Sequence, residues 1–244
     1  MGVPLDGRGA AARRVHGVTG RAVLHDVADP VAEAARRLAS ALRAALDEGT
    51  GPVGLILSGG RTPRAMLPIL LAIDDLDWTR IEVAAGDERL VPPDHPDSTQ
   101  GMIAAAFAAA GRPLTYRGFG PDLAAGPALA HWRGQIDAMP WPPAAAFLGM
   151  GDDGHTASLC PGGPEAGAAG LFAAQVPETP PHAHARLTLG PAALLACPCI
   201  VMVVAGADKR RMLARAMEPD ADPRTLPVTW IARLPQTAIL CPTP

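Results

Sequence analysis

From position 21 onward the chain alternates between two periodicities. Short aliphatic and β-branched runs at 22–25, 53–57, 81–85, 145–149, 186–189, 200–205 and 237–241 read as strands. Longer Ala- and Leu-rich stretches at 29–47, 63–73, 98–110, 122–138, 191–196 and 208–217 read as helices. The first of these has Asp29 as an N-cap and Pro30 behind it. It places Val31, Ala34, Ala35, Leu38, Leu42 and Leu46 on one face, which predicts a helix covering a sheet. Strands separated by helices predict a single α/β domain over 21–244, with a mostly parallel, Rossmann-like sheet flanked by helices. Residues 1–20 have no apolar periodicity and read as a flexible arm. A targeting peptide is the weaker alternative, because the segment has no serine, carries Asp6 and shows no amphipathic pattern. Pro/Gly-rich stretches at 141–144, 161–170 and 176–184 read as loops, the last two long enough to frame a site.

Composition narrows the class. Of 244 residues 48% are apolar, enough for a layered core. No apolar run reaches the roughly 20 residues a membrane span needs. The formal charge of −3, with no basic cluster beyond pairs such as Arg13-Arg14, Arg36-Arg37 and Arg210-Arg211, argues against nucleic-acid binding. Any phosphate binding is therefore expected to be local. Cys160, Cys197, Cys199 and Cys241 lack paired metal-ligand spacing and read as reduced thiols of a cytoplasmic protein. Cys197-Pro-Cys199 has one residue between its cysteines, not the two of a redox pair, and reads as buried filler. Lys209 is the one lysine among 21 basic residues, so a compact ammonium is a candidate requirement there.

Four segments carry candidate chemistry. In Leu55-Ile-Leu-Ser-Gly-Gly-Arg-Thr-Pro63 a buried strand runs into two glycines and then Thr-Pro, read as an N-cap and first helical residue. Gly59 and Gly60 let backbone N–H groups approach an anion, and Arg61 and Thr62 add side-chain donors. The segment is neither a Walker A loop nor a dinucleotide fingerprint. An ordinary strand-to-helix turn is the alternative. In Gly86-Asp-Glu-Arg-Leu-Val-Pro-Pro-Asp-His-Pro-Asp-Ser98, Asp87, Glu88 and Arg89 follow a strand directly, where ligands of parallel sheets bind. A loop ion pair with Asp97 or Ser98 as an N-cap is the alternative, and His95 reads as a loop residue.

The third segment, Phe147-Leu-Gly-Met-Gly-Asp-Asp-Gly-His-Thr-Ala-Ser-Leu-Cys-Pro-Gly162, is a strand opening into a glycine-rich turn. An imidazole titrates near neutral pH, and a carboxylate beside it fixes its tautomer and stabilises its charged form. Asp153 and His155 suit a base and its partner. A metal site is not expected, because the other histidines offer no companion motif beyond His182-x-His184. The fourth segment is Arg186-Leu-Thr-Leu189 followed by Val201-Met-Val-Val-Ala-Gly-Ala-Asp-Lys-Arg210. Lys209 falls at the start of a helix, where the helix dipole disfavours a cation unless an anion is held there.

Together SGGRTP, GDERLVPPDHPDS, LGMGDDGHTASLCPG and RLTL with the later GADK resemble the 6-phosphogluconolactonase family, in its order and from about position 21 to the end. The resemblance implies one α/β domain and no metal or organic cofactor. It implies hydrolysis of a small phosphorylated sugar lactone, 6-phospho-D-glucono-1,5-lactone, by a monomer or small homo-oligomer. His155 corresponds to the family's catalytic histidine, with Asp153 beside it and Arg89 a candidate for the oxyanion. Gly59, Gly60, Arg61, Thr62, Asp87, Arg186 and Lys209 correspond to its substrate-contacting positions. Three departures stand out: Thr99 replaces a usual asparagine, Cys160 a usual aromatic, and Arg61 a common serine.

Glucosamine-6-phosphate deaminase is the nearest rival reading. Its Phe-Asn-Glu-Pro run is replaced here by Ala157-Ser-Leu-Cys-Pro161, which lacks the carboxylate an aminosugar ring opening calls for. A non-catalytic sugar-phosphate binder is the other. Phosphate affinity alone would need the glycines and cations but not a positioned base.

Overall fold

A computed structural model of the chain describes residues 22–119, 125–178 and 183–243. The arm at 1–20 and the first residues of the helix expected over 122–138 lie outside them.

The chain runs β1 (Val23–Val27), α1 (Pro30–Asp47), β2 (Val53–Leu57), α2 (Arg61–Leu71), β3 (Ile81–Ala85), β4 (Asp87–Arg89), α3 (Thr99–Ala109), β5 (Thr115–Tyr116) and α4 (Ala125–Ala138). It continues through β6 (Ala145–Phe147), β7 (Ala173–Val176), β8 (Arg186–Leu189), α5 (Pro191–Leu195), β9 (Ile200–Val203), α6 (Ala207–Ala216), α7 (Thr229–Ala232) and β10 (Thr237–Pro242).

Seven strands form one sheet in the order β1-β10-β9-β6-β2-β3-β5, every pairing parallel. Strand β2 is buried along its whole length, as a parallel strand covered on both faces must be. Its alternating side chains divide the core. Leu55 and Leu57 join α1, α2 and α3 on one face, while Ile56 joins the layer that contains α4 and α7 on the other. Helix α1 forms as its sequence predicts: Asp29 Oδ1 accepts from Val31 N–H at 3.1 Å and Ala32 N–H at 2.9 Å, and Ala34, Ala35, Leu38, Leu42 and Leu46 are buried. No helix among the described residues is long and apolar enough to cross a membrane.

Strands β4, β5 and β7 and helix α7 were not expected from the sequence, and two further findings differ from its reading. Strand β8 does not join the large sheet; with β4 and β7 it forms a second, antiparallel sheet in the order β4-β8-β7. The chain enters it straight from β3 through Gly86, whose N–H donates to Leu57 O and whose carbonyl accepts from Leu189 N–H, both at 2.9 Å. Helix α2 begins two residues earlier than Thr-Pro suggests. Gly60, at φ 109°, is its N-cap and no side chain caps it, so Thr62 lies inside the first turn.

From β2 the chain works outward to β3 and β5, whereas β6, β9 and β10 build the other way, so the order reverses between β2 and β6. A parallel sheet opens a crevice beyond the carboxyl ends of its strands at such a reversal.

Candidate active site

A cleft of about 260 Å³ occupies this crevice. Its walls include Ser58–Pro63 after β2, Phe147–Gly151 from the end of β6 onward, Asp87 and Arg89 from β4, Arg186 from β8, and Lys209 from α6. Of the ten residues singled out in the sequence, nine line this one cleft: Gly59, Gly60, Arg61, Thr62, Asp87, Arg89, His155, Arg186 and Lys209. Asp153 stands behind His155.

Gly59 leads from β2 into α2. A Cβ on Gly59 would lie 2.6 Å from Thr99 Oγ1 and 3.1 Å from Arg89 Nη1, so the position must be glycine for the turn to pack against both. The first-turn N–H groups of α2 have no partner within the helix and face the cleft with its positive end. An anion there meets backbone donors and the dipole, in the field of the exposed Arg61.

On the antiparallel ladder Arg89 stands directly opposite Arg186. Two like charges in register repel unless something negative lies between them. Asp87, buried on the same strand, supplies part of that charge: its Oδ2 lies 3.9 Å from Arg186 Nη1 and accepts from Ser158 Oγ at 2.7 Å. At 3.9 Å the Arg186 pair is loose, and Arg186 Nε is buried without a hydrogen-bond partner, as are Ser58 Oγ and Thr99 Oγ1. Unsatisfied polar atoms around a cleft are costly in isolation and become favourable when a polar ligand supplies partners.

Glu88 has a different part from its neighbours. It is buried and accepts from the backbone N–H groups of Arg89 at 2.7 Å, Thr99 at 2.8 Å and Gln100 at 2.5 Å. With Ser98 Oγ, which accepts from Gly101 N–H at 3.0 Å, it caps α3. Burial pushes its carboxyl above the ordinary range, opposed by those three donors. The sequence grouped Glu88 with the site charges; its oxygens instead anchor a helix.

His155 follows the turn Gly151–Gly154. Its Nδ1 lies 2.6 Å from Asp153 Oδ1, which also accepts from His155 N–H at 3.1 Å. That hydrogen bond assigns the proton to Nδ1 and the lone pair to Nε2, the arrangement a general base requires. Gly151 makes the ring position possible: a Cβ there would fall 2.1 Å from His155 Nδ1 and Cε1. The adjacent carboxylate, Asp152, is exposed and pairs instead with Lys209, whose Nζ lies 3.4 Å from Asp152 Oδ1 and donates to Met150 O at 2.6 Å. Lys209 is thereby tied to the turn that carries His155.

None of the four cysteines lines the cleft. The four thiols form no disulfide, and burial pushes Cys197 up to about 12.

Residues 25–239 match the family described as glucosamine-6-phosphate isomerases/6-phosphogluconolactonase. The chain is similar to the 6-phosphogluconolactonase of Pseudomonas aeruginosa, at 36% identity over 216 residues covering 83% of this chain and 87% of that protein. A Neisseria meningitidis 6-phosphogluconolactonase is 35% identical, covering 77% of this chain and 85% of its own. Among solved structures, a 6-phosphogluconolactonase from Shewanella baltica superposes with a TM-score of 0.79 at 25% identity, over 91% of this chain and 98% of that one. The Thermotoga maritima 6-phosphogluconolactonase shares the fold, with a TM-score of 0.78 at 24% identity over 92% of this chain and 100% of that one.

Proposed function

The chain belongs to the glucosamine-6-phosphate isomerase/6-phosphogluconolactonase family, and we propose that it is the lactonase, hydrolysing 6-phospho-D-glucono-1,5-lactone to 6-phosphogluconate in the cytoplasm with His155 as general base. The observation that carries this reading is the 2.6 Å contact of His155 Nδ1 with Asp153 in a cleft that also holds a helix N-terminus and four cationic side chains. A binder of sugar phosphate needs the cations; only a proton-transfer site needs the oriented imidazole.

The sugar phosphate binds with its anionic end among the α2 N-terminus, Arg61 and neighbouring cations, which brings the lactone carbonyl toward His155. A water attacks that carbonyl carbon as Nε2 takes its proton, and Asp153 holds the resulting imidazolium. The new oxyanion is stabilised by a cation such as Arg89 or by backbone N–H groups of the glycine turns. As the tetrahedral intermediate collapses, the bond from the carbonyl carbon to the ring oxygen breaks. The imidazolium returns its proton to that oxygen, leaving a hydroxyl and a carboxylic acid, which releases its proton to solvent as the carboxylate.

Lactone hydrolysis, coupled to 6-phosphogluconate dehydrogenase and corrected for the spontaneous reaction, tests the assignment. We expect robust turnover by the wild type and a loss of about 10²–10⁴-fold in kcat for His155→Ala, the usual contribution of a general base. A folded His155→Ala protein with near-full activity sinks the role of His155, and a wild type without lactonase activity sinks the function itself.

A further inference from the structure

We propose that His95, Asp97 and His184 form a binding site for a borderline divalent transition metal, zinc foremost, beside the β4–β8 ladder that carries Arg89 and Arg186. The donor set, two imidazoles and a carboxylate, is one that zinc takes when it keeps a position for water. One ligand atom from each of the three residues lies within 4.8 Å of the others. His184 Nε2 is 3.2 Å from Asp97 Oδ2. Two donors on one tetrahedral zinc, with bonds of about 2.0–2.1 Å, stand roughly 3.3 Å apart, so this pair is already at chelating distance. His95 Nδ1 is 4.0 Å from the same carboxylate oxygen, a gap that a small rotation of an exposed loop side chain closes.

Binding exchanges two hydrogen bonds for metal bonds. Asp97 N–H donates to His95 Nδ1 at 3.1 Å, so that nitrogen holds a lone pair, which the metal takes over from the N–H, and the proton that His184 Nε2 shares with Asp97 Oδ2 is released on binding. The two rings meet edge to face with centroids 5.2 Å apart, so both imidazoles are held over the same spot. All three side chains reach solvent, leaving an entry path and room for bound water.

The fold explains why these residues meet. His95 and Asp97 follow β4, and His184 precedes β8; the ladder that sets Arg89 opposite Arg186 is extended by Leu90 N–H donating to Ala185 O at 2.8 Å. A metal here cross-links the two segments that deliver the cleft's paired arginines. The companion of His184 suggested by sequence spacing, His182, lies outside the described residues. Its observed companions are 87 and 89 positions away in the chain. Arg89 Nη1 donates to Asp97 O at 3.3 Å, and this nearby cation opposes a dication, which sets the expected affinity at micromolar and not nanomolar. The site uses neither His155 nor Asp153, so it stands apart from the proposed hydrolysis.

The test uses the untagged full chain, stripped of metal with a chelator and titrated with zinc chloride in a calorimeter. We expect one equivalent bound with micromolar Kd and a thermal midpoint that rises with zinc concentration. His95→Gln and His184→Gln should each weaken binding at least about tenfold, while His25→Gln leaves it unchanged. Cobalt(II) should give the visible bands of a low-coordinate nitrogen–oxygen site without a thiolate charge-transfer band. Circular dichroism and lactonase activity, both expected at wild-type levels, verify that the two variants are folded. Absence of saturable binding below millimolar zinc overturns the site, as does binding that survives both substitutions or a thiolate band in the cobalt spectrum. Lactonase activity of the metal-free wild type reads the hydrolytic assignment separately.

Discussion

At the scale of single residues, the position of one imidazole rests on a missing side chain. Gly151 lies under the His155 ring with no space for a Cβ, yet its backbone is not in the left-handed region, so alanine is conformationally allowed there. Gly151→Ala should therefore leave the fold intact and move the ring. Displacement of a catalytic group by about 1 Å costs on the order of 10²-fold. We expect a fall of about that size in kcat, with the far-ultraviolet dichroism and thermal midpoint close to wild type; a kcat within twofold of wild type would show that the ring does not depend on this contact. The sequence was informative at this scale because the chemistry is local: Asp153 and His155 are two residues apart, and their contact is made within one turn. Asp152, the adjacent carboxylate, turns instead to Lys209. What the sequence could not supply was the partner of a residue whose contacts are distant in the chain. Glu88 sits between two site residues and reads like them, but its acceptors are filled by the backbone of residues 99 and 100.

At the scale of elements, Glu88 links strand β4 to the start of α3. Glutamine at 88 offers one acceptor oxygen and turns an NH₂ group toward a backbone N–H that has no other partner in the helix. Leaving a buried donor unsatisfied costs about 1–3 kcal/mol, and that is the loss of stability we expect for Glu88→Gln in urea unfolding at pH 7. The sign of the pH dependence follows from burial. The folded-state carboxyl titrates above its ordinary value, so the protonated form is favoured by folding. Its stabilising contribution is full below the unfolded value of about 4.3 and is lost as pH rises through the raised folded value. The stability advantage of wild type over Glu88→Gln should thus grow on acidification from neutrality toward that value; an advantage that shrinks would contradict the assigned shift. Elements also mark where pattern reading stopped. Strands buried on both faces, such as β2 and β3, were legible as apolar runs, and α1 was legible from its cap and stripe. Strand β4 is the charged tripeptide Asp87-Glu-Arg89, with no alternation to reveal a strand. Strand β7 follows a glycine-rich loop, and only pairing with β8 makes either part of a second sheet. The start of α2 was misjudged because Thr62-Pro63 looks like a cap, whereas Gly60 makes the turn two residues earlier.

At the scale of the whole molecule, the charge distribution determines how an anionic substrate is met. The chain carries a net −3, yet Arg61, Arg89, Arg186 and Lys209 all line one cleft at the reversal of a parallel sheet. Only the nearest of these cations can touch a phosphate; the others act through the field, which salt screens over about 10 Å at 0.1 M and about 3 Å at 1 M. Contacts made equally in the ground and transition states change KM and leave kcat alone. Raising sodium chloride from about 0.05 to about 0.5 M should therefore increase KM for the phosphorylated lactone several-fold, with kcat altered by less than about twofold. Arg61, exposed at the mouth on the first turn of α2, is placed to contribute through the field more than through contact. Arg61→Ser should raise KM at low salt and flatten its salt dependence, the two curves converging at high salt where the field of the extra cation is screened. Parallel curves, with the variant uniformly worse, would instead place Arg61 in direct contact with the phosphate. A KM indifferent to salt in both proteins would detach the whole cluster of cations from substrate binding.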